Sequence, residues 1–294
     1  MTKKLSPGRI VFQIFNYSFM ILICIICVIP IWHVFMASIS EPAMVEMAKG
    51  FILKPLGKAS LNAYRLIAQY KGIWRGYLNT MCYVAVQCCL TTFLTVLAGY
   101  ILSRSRFRYR NFIMGMITFT MMFNGGMIPT YMVIRQIGLL DTYASQILPM
   151  AMQAFYIIIM RTSIMQIPES LEESARIDGA GEWRIMFTII IPLIKSTIAV
   201  VVLFVAVAKW NEWFPALMYL PQATEKYPLQ MHLRQILIQS ADAASAADTM
   251  DANQLYKTLA KYASIMVSTL PIMCIYPFVQ KYFVTGVMIG SVKG

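Results

Sequence analysis

Long apolar runs separated by short polar segments dominate the sequence. A helix needs about 20 apolar residues to cross the hydrocarbon core of a bilayer. Six segments of this kind occur, at 11–37, 77–102, 111–134, 143–165, 195–219 and 262–282. The pattern predicts an all-α, polytopic membrane protein with six transmembrane helices in one membrane domain, 1–294.

The third apolar segment is interrupted by residues that disfavour a continuous helix. Asn124, Gly125 and Gly126 follow its most apolar part, and Pro129 comes three residues later. Proline removes a backbone donor, and glycine weakens a helix. We therefore predict a break or kink here, at a place where other helices or a cavity satisfy the freed backbone groups.

The composition supports a membrane protein and changes how the net charge is interpreted. The chain is 59% hydrophobic and 13% charged, whereas soluble domains carry about 25% charged residues. Its net charge of +12 would suggest nucleic-acid binding in a soluble protein. Here the basic residues lie mainly between apolar runs, so we interpret them as orientation signals and contacts to anionic lipid, with no nucleic-acid partner.

Orientation is predicted from the short loop 103–111, which holds Arg104, Arg106, Arg108 and Arg110 and no acidic residue. Short loops rich in Lys and Arg remain on the cytoplasmic side. With six spans, both termini and the polar segment 166–194 are then expected in the cytoplasm. The segments 38–76 and 220–261 are expected outside.

Residues that would support catalysis or bind a cofactor are scarce. The sequence has no GxxxxGK[ST] phosphate loop, no HExxH and no GxSxG, and its two histidines, His33 and His232, are far apart. The six cysteines lie in apolar runs, where a thiol packs as a small hydrophobic group. We therefore predict neither an enzyme nor a cofactor or metal site in this chain.

The polar segment between the fourth and fifth apolar runs has the signals of two short helices. Pro168 suits the first turn of a helix, and Glu169 places negative charge at the positive end of the helix dipole. Asp178 and Gly179 favour a left-handed stop, after which Glu182 begins a second helical run. The sequence predicts a helix, a sharp turn and a helix.

This segment resembles the EAA loop of permease subunits of ATP-binding-cassette importers, whose pattern is Glu-Ala-Ala, three residues, Gly, nine residues, Ile, one residue, Leu-Pro. The matching positions are Glu173, Ser174, Ala175, Gly179, Ile189, Ile191 and Pro192. Ser174 stands for Ala and Ile191 for Leu, which are small changes in volume. The alternative is an ordinary amphipathic loop between two spans.

Further stretches are similar to the carbohydrate-uptake permeases, a group that includes the smaller membrane subunit of the maltose importer. They are AGYILSR at 98–104, WNEWFPAL at 210–217 and GVMIGSVKG at 286–294. Residues 122–142 and 227–237 resemble a subgroup that takes up complex or acidic oligosaccharides. A permease for a non-sugar solute such as a peptide, which shares the EAA loop, is the alternative.

The resemblance implies a subunit of the bacterial inner membrane that works by alternating access. Its partners would be a second homologous permease, an ATPase dimer that binds ATP and Mg²⁺, and an extracytoplasmic solute-binding protein that contacts segment 220–261. The cargo would be an oligosaccharide, and an acidic one if the subgroup is right.

The resemblance also implies roles for particular residues. Those expected to couple to the ATPase are Glu173, Ser174, Ala175, Asp178, Gly179, Ala180 and Pro192. Glu173 would be the electrostatic anchor, Ala175 a close-packing contact, and Gly179 the turn that sets the angle to the second helix. The terminal Val292, Lys293 and Gly294 would reach toward the ATPase.

The fifth apolar run contains the one clear polar intrusion, which makes it a candidate for the translocation path. The candidates are Lys209, Trp210, Asn211, Glu212 and Trp213. Charges at this depth usually face a protein interior or a water-filled path, but Lys209 and Glu212 are three residues apart and could instead neutralise each other. The two tryptophans could stack on a sugar or belong to an interfacial aromatic belt.

Overall fold

The computed structural model describes residues 7–245, 259–275 and 277. All the regular secondary structure in these residues is helical, which confirms the predicted all-α class. The helices before the polar loop are α1 Pro7–Ser38, α2 Pro42–Met47, α3 Asn62–Gln69, α4 Lys71–Ser103, α5 Arg110–Met122, α6 Met127–Gln136, α7 Ala144–Ile147 and α8 Ala154–Ile164. The later helices are α9 Glu169–Ile177, α10 Glu182–Ile185, α11 Ile191–Leu193, α12 Lys195–Asn211, α13 Phe214–Tyr219, α14 Leu229–Ser245 and α15 Leu259–Ile275.

Among the residues that the structure describes, two helices are long and apolar enough to cross a membrane unbroken. They are α1 with 32 residues and α4 with 33 residues, which correspond to lengths of about 50 Å each. They cover the predicted spans 11–37 and 77–102. The last predicted span, 262–282, is described only as far as α15 and residue 277, and the rest of it lies outside the described residues.

Three further apolar segments are helix pairs with a bend between their members. The bends are 113° between α5 and α6, 51° between Ala144–Met150 and α8, and 80° between Glu182–Leu193 and α12. Counting each pair as one span gives up to five spans in the described residues. The break between α5 and α6 lies at 123–126, where the glycines predicted it.

The expectation of continuous helices at 143–165 and 195–219 is wrong. Pro149 lies in a short 3₁₀ turn, Leu148–Met150, and the helix resumes only at Ala154. The other segment ends its first helix at Asn211 and restarts at Phe214 with Pro215 in the first turn. Proline lacks the N–H that a helix interior needs, so each segment divides near its proline.

The described residues form two compact units, one of 7–71 with 233–245 and 259–270, and the other of 72–232 with 271–275 and 277. In the first unit, the end of α1 is fixed by polar contacts. Ser38 and Tyr64 share a hydrogen bond of 2.7 Å, and the Ile52 N–H donates to His33 Nδ1 at 2.9 Å. His33 therefore has a structural hydrogen bond.

The second unit has its main core where α4, α8 and α12 meet. Its buried side chains are Val96, Tyr100, Tyr156, Met160, Ile164, Ile185, Met186, Ile190, Ile194, Val201 and Val205. Gly99 allows a close approach of α4 and α8, because a Cβ there would lie 3.1 Å from the backbone nitrogen of Arg161. The loop 166–194 contributes Ile185, Met186 and Ile190 to this core, and Ala175 and Ala180 pack against it, so the loop is supported by a packed surface.

In the second unit, a cluster of polar contacts fixes the segment 220–229. Asp141 has a left-handed φ of 58° and its Oδ1 accepts from the Gln222 and Ala223 N–H groups at 2.9 and 2.8 Å. Asn79 of α4 donates to the Tyr227 carbonyl at 3.0 Å. These bonds satisfy backbone groups that have no helical partner.

Candidate functional site

The predicted helix, turn and helix are present in the loop 166–194. Pro168 precedes α9, whose first turn holds Glu169 and Glu172. At its end, the Gly179 N–H donates to the Arg176 carbonyl at 3.0 Å, the Ala180 N–H donates to the Ala175 carbonyl at 2.9 Å, and Gly179 has φ +79°. This is a Schellman motif, which requires a left-handed residue and favours glycine.

One face of α9 packs against the main core of the second unit. Glu172, Ala175 and Arg176, which stand at i, i+3 and i+4, are its buried or half-buried residues. Ala175, together with Ala180 beyond the turn, packs against the main core. The close contact that Ala175 makes in this structure is therefore with the chain's own core.

The Glu172 carboxylate is the buried anchor of this face. Glu172 is 4% exposed, and Arg104 at the end of α4 donates from its Nη1 to the Glu172 Oε2. The Arg104 guanidinium also lies 3.9 Å above the centre of the Tyr100 ring. Since the desolvated carboxylate and guanidinium face each other, the pair links α9 firmly to the end of α4.

Glu182 at the start of α10 joins the same network from the other side of the turn. Its Oε2 accepts from the Tyr100 hydroxyl at 2.6 Å, and its Oε1 accepts from Arg176 Nη2 at 2.9 Å. The Tyr100 hydrogen bond, assisted by Arg176, holds the pKa of the Glu182 carboxyl below its ordinary value. Glu182 is thus an anion at neutral pH and bridges both helices of the loop.

The opposite face of α9 is exposed. Leu171, Glu173, Ser174 and Ile177 lie there, and Ile177 is 87% exposed. Asp178, which caps the helix, is exposed as well. The exposed face of α9 therefore carries an apolar side chain, Ile177, and a carboxylate, Glu173. Its opposite face packs against the core.

The second helical run buries one face and exposes the other, which carries Trp183 and Phe187. Ile185, Met186 and Ile190 are buried in the main core, and a π-helical turn, Met186–Ile190, precedes Pro192. The Ile191 N–H donates to the Met186 carbonyl across this turn. A π turn accommodates the missing donor of the proline without ending the helix.

Residues 93–288 match the family model described as "Binding-protein-dependent transport system inner membrane component". This chain belongs to that family. The membership confirms the resemblance to importer permeases and makes the chain a multi-pass membrane component of a transporter. No group of three or more His, Cys, Asp or Glu side chains that could hold a metal ion occurs in the part of the chain that the structure describes.

Relatives match over nearly the full length of the permease. The polygalacturonan/rhamnogalacturonan transport system permease protein YtcP of Bacillus subtilis is 40% identical over 96% of this chain and 98% of its own. The protein LplC of the same organism is 38% identical over 98% and 97%. In the crystal structure of a bacterial ABC transporter involved in the import of the acidic polysaccharide alginate, one chain is similar with a TM-score of 0.83, 32% identity, and coverage of 96% of this chain and 100% of that one.

Lys209, one of the path candidates, is buried and paired. Its Nζ lies 2.6 Å from the Glu212 Oε2 and also donates to the Gln146 carbonyl. Of the two alternatives left by the sequence, the intramolecular pair is thus formed in the structure. Glu212 thus neutralises this cation at the end of α12.

The other path candidates surround the break between α12 and α13. Trp210 is buried and packs edge-on against Tyr77, with 6.1 Å between ring centres. Trp213 packs against Phe214 in the same manner at 5.5 Å. Asn211 is exposed and donates to the Val207 carbonyl at 2.8 Å. Their role in a path stays a prediction.

Sequence reasoning missed the residues that hold the loop in place. It named Glu173 but not Glu172, and it treated Arg104 only as an orientation signal. The 3.6-residue period could have separated the two glutamates, because only Glu172 shares a face with Ala175 and Arg176. The tail residues Val292, Lys293 and Gly294 lie outside the described residues.

Proposed function

We propose that this permease takes up an oligosaccharide in an ATP-driven importer, together with a second permease, an ATPase dimer and an extracytoplasmic binding protein. The ATPase dimer supplies ATP and Mg²⁺ chemistry, and this chain contributes the coupling loop. Both termini and the loop 166–194 face the cytoplasm in this proposal. The two permeases alternate between inward-open and outward-open states as the ATPases close and open.

The observation that carries this proposal is the exposed face of α9 on a buried support. Ile177 offers an apolar group to a groove of the ATPase, and Glu173 offers a charge beside it. Glu172 and Glu182 connect the helix to α4, so a displacement of α9 is transmitted to a span rather than absorbed by the loop. The turn at Gly179 and the helical segment that contains Pro192 transmit the same displacement to α12.

The cargo proposed is an oligosaccharide that carries carboxylates. The named cargo of two similar proteins supports it: polygalacturonan/rhamnogalacturonan, both of which contain uronic acid, for one, and the acidic polysaccharide alginate for the other. These relatives also argue against the peptide alternative. Lys209 is not the residue that selects an anion in this proposal, because Glu212 neutralises it.

The test is ATPase activity in nanodiscs, with the purified chain alone and then with its partner permease, ATPase and binding protein. We expect stimulation only in the full assembly, and by uronate oligosaccharides of a few residues at least tenfold more than by neutral ones of equal length. Equal stimulation by neutral oligosaccharides would reject the acidic cargo and keep the importer. Stimulation by peptides alone would reject the sugar.

Replacing Ile177 by Ser should weaken coupling without unfolding the chain, since the side chain is almost fully exposed. Losing the burial of one isoleucine costs about 1.5–3 kcal/mol, so the ATPase should bind the permease at least tenfold more weakly in pull-down titrations. Ile177→Leu keeps the apolar group and should bind normally. Normal binding by the serine variant would show that this face of α9 is not the docking surface.

A further inference from the structure

Two adjoining cavities form one groove along α4 in the second unit. The first has a volume of about 470 Å³ and the second of about 450 Å³. Leu97 and Met186 line both of them. The two cavities therefore adjoin at these residues, and we call them together the α4 groove.

The α4 groove is polar at one end and apolar at the other. Arg104, Arg106 and Arg176 line the first cavity together with a single acid, Glu182. No charged residue lines the second cavity, whose walls are Cys88, Cys89, Thr92, Phe93, Val96, Leu97, Met186, Phe187, Ile191, Ile198 and Val202. The lining of the first cavity itself therefore carries more positive than negative charge, and Glu169, Glu172 and Glu173 line a separate polar pocket beside the same arginines. The other end suits a hydrocarbon.

One of the three arginines is available to a ligand. Arg104 is engaged by Glu172, and Arg176 by Glu182. Arg106 is exposed, and it forms no ion pair with any carboxylate of residues 7–245, 259–275 or 277. Arg106 therefore indicates a binding site for an anionic group at the polar end of the groove.

The dimensions fit one lipid tail better than a protein helix. Cys89 and Arg104 are 15 residues apart on α4, a distance of about 22 Å along the helix, whereas one leaflet of the hydrocarbon core is about 15 Å thick. The groove thus accommodates an acyl chain with room for a headgroup. A 15 Å length of helix with its side chains occupies on the order of 1,200 Å³, more than the two cavities hold together.

We propose that the α4 groove binds one anionic phospholipid. Its phosphate contacts Arg106 in the loop that follows α4, and an acyl chain lies between α4 and the π-helical turn Met186–Ile190. The site lies beside the Tyr100, Arg176 and Glu182 contacts that hold the loop 166–194. This proposal depends on the membrane location of the permease and not on its cargo.

The test is native mass spectrometry of the purified permease, with the subunits that co-purify, after delipidation and titration with phosphatidylglycerol or phosphatidylcholine. We expect one phosphatidylglycerol to bind at least tenfold more tightly than phosphatidylcholine. Arg106→Gln should weaken phosphatidylglycerol binding about fivefold, the effect of one cation near a lipid surface. Arg108→Gln, which removes the same charge from an exposed neighbour outside the groove, should leave it unchanged.

A second pair of variants tests the apolar end. Leu97→Trp should fill the groove where its two cavities join and abolish the binding of the single lipid. Leu94→Trp makes the same change at a half-buried position of α4 that lines neither cavity, and should bind normally. Equal losses for Arg106→Gln and Arg108→Gln, or normal binding by Leu97→Trp, would overturn the site in favour of general surface attraction.

Discussion

Replacing Glu172 by Leu should destabilise the permease by about 3 kcal/mol, because it leaves the Arg104 guanidinium without its carboxylate. Two other donors of Arg104, Nε and Nη2, are already buried with no hydrogen-bond partner among the described residues. In a chain of this size the loss corresponds to a lower Tm of about 6–12 °C, measured by intrinsic fluorescence in detergent. Arg104→Met should cost less, since Arg176 remains 3.7 Å from Glu172.

The double variant Arg104→Met/Glu172→Leu distinguishes an ion pair from two independently important residues. Because replacing both partners by apolar groups removes the unpaired charge, it should be more stable than Glu172→Leu alone. Glu173→Leu is the matched control: this carboxylate is exposed on the same helix, and its Tm should change little. A double variant as unstable as the sum of the single ones would contradict the pairing.

Local signals explain why the helix, turn and helix of the loop 166–194 could be predicted in detail. Pro168, the acidic first turn and the Asp178-Gly179 dipeptide act over a few residues, so the start of α9 and the left-handed φ at Gly179 follow from the sequence. The contact between Arg104 and Glu172 joins residues 68 positions apart. Such a contact depends on how α4 and α9 pack, which no local pattern contains.

Apolar length predicted where the membrane segments lie but not how they bend. Hydropathy measures how apolar a segment is and carries no information on the direction of its axis. The break at 123–126 was predicted because two glycines lie there. The prolines explain where a helix divides, but the angles of the bends at 194 and beside Pro149 depend on tertiary contacts, such as the 2.9 Å hydrogen bond from Gln87 to the carbonyl of Met150.

The pairing of Lys209 with Glu212 was partly predictable, because it depends on both a local pattern and a tertiary contact. The i, i+3 spacing named it as one alternative, since such residues share a helix face. The sequence could not decide it, because a lysine near a helix end can equally turn toward a path. The decisive contact is the Gln146 carbonyl, which comes from the end of another helix and completes the lysine's environment.

Gly179→Val should yield an importer that assembles but is poorly coupled. A Cβ at Gly179 would meet nothing within 4 Å, so the cost is conformational and not steric. Holding an L-residue at φ +79° costs about 1–2 kcal/mol, and a β-branched residue more. Losing the left-handed turn changes the angle between α9 and α10, and cargo-stimulated ATPase and uptake should fall about tenfold while assembly persists.

Gly179→Asn separates the backbone requirement from the mere addition of a side chain. Asparagine is similar in size to valine but tolerates the left-handed region, so this variant should retain most of the activity. Both variants add a side chain at an exposed position, so a docking surface that simply excluded bulk would penalise them equally. Equal losses would therefore assign Gly179 to the contact with the ATPase, whereas a loss confined to valine assigns it to the angle between the two helices.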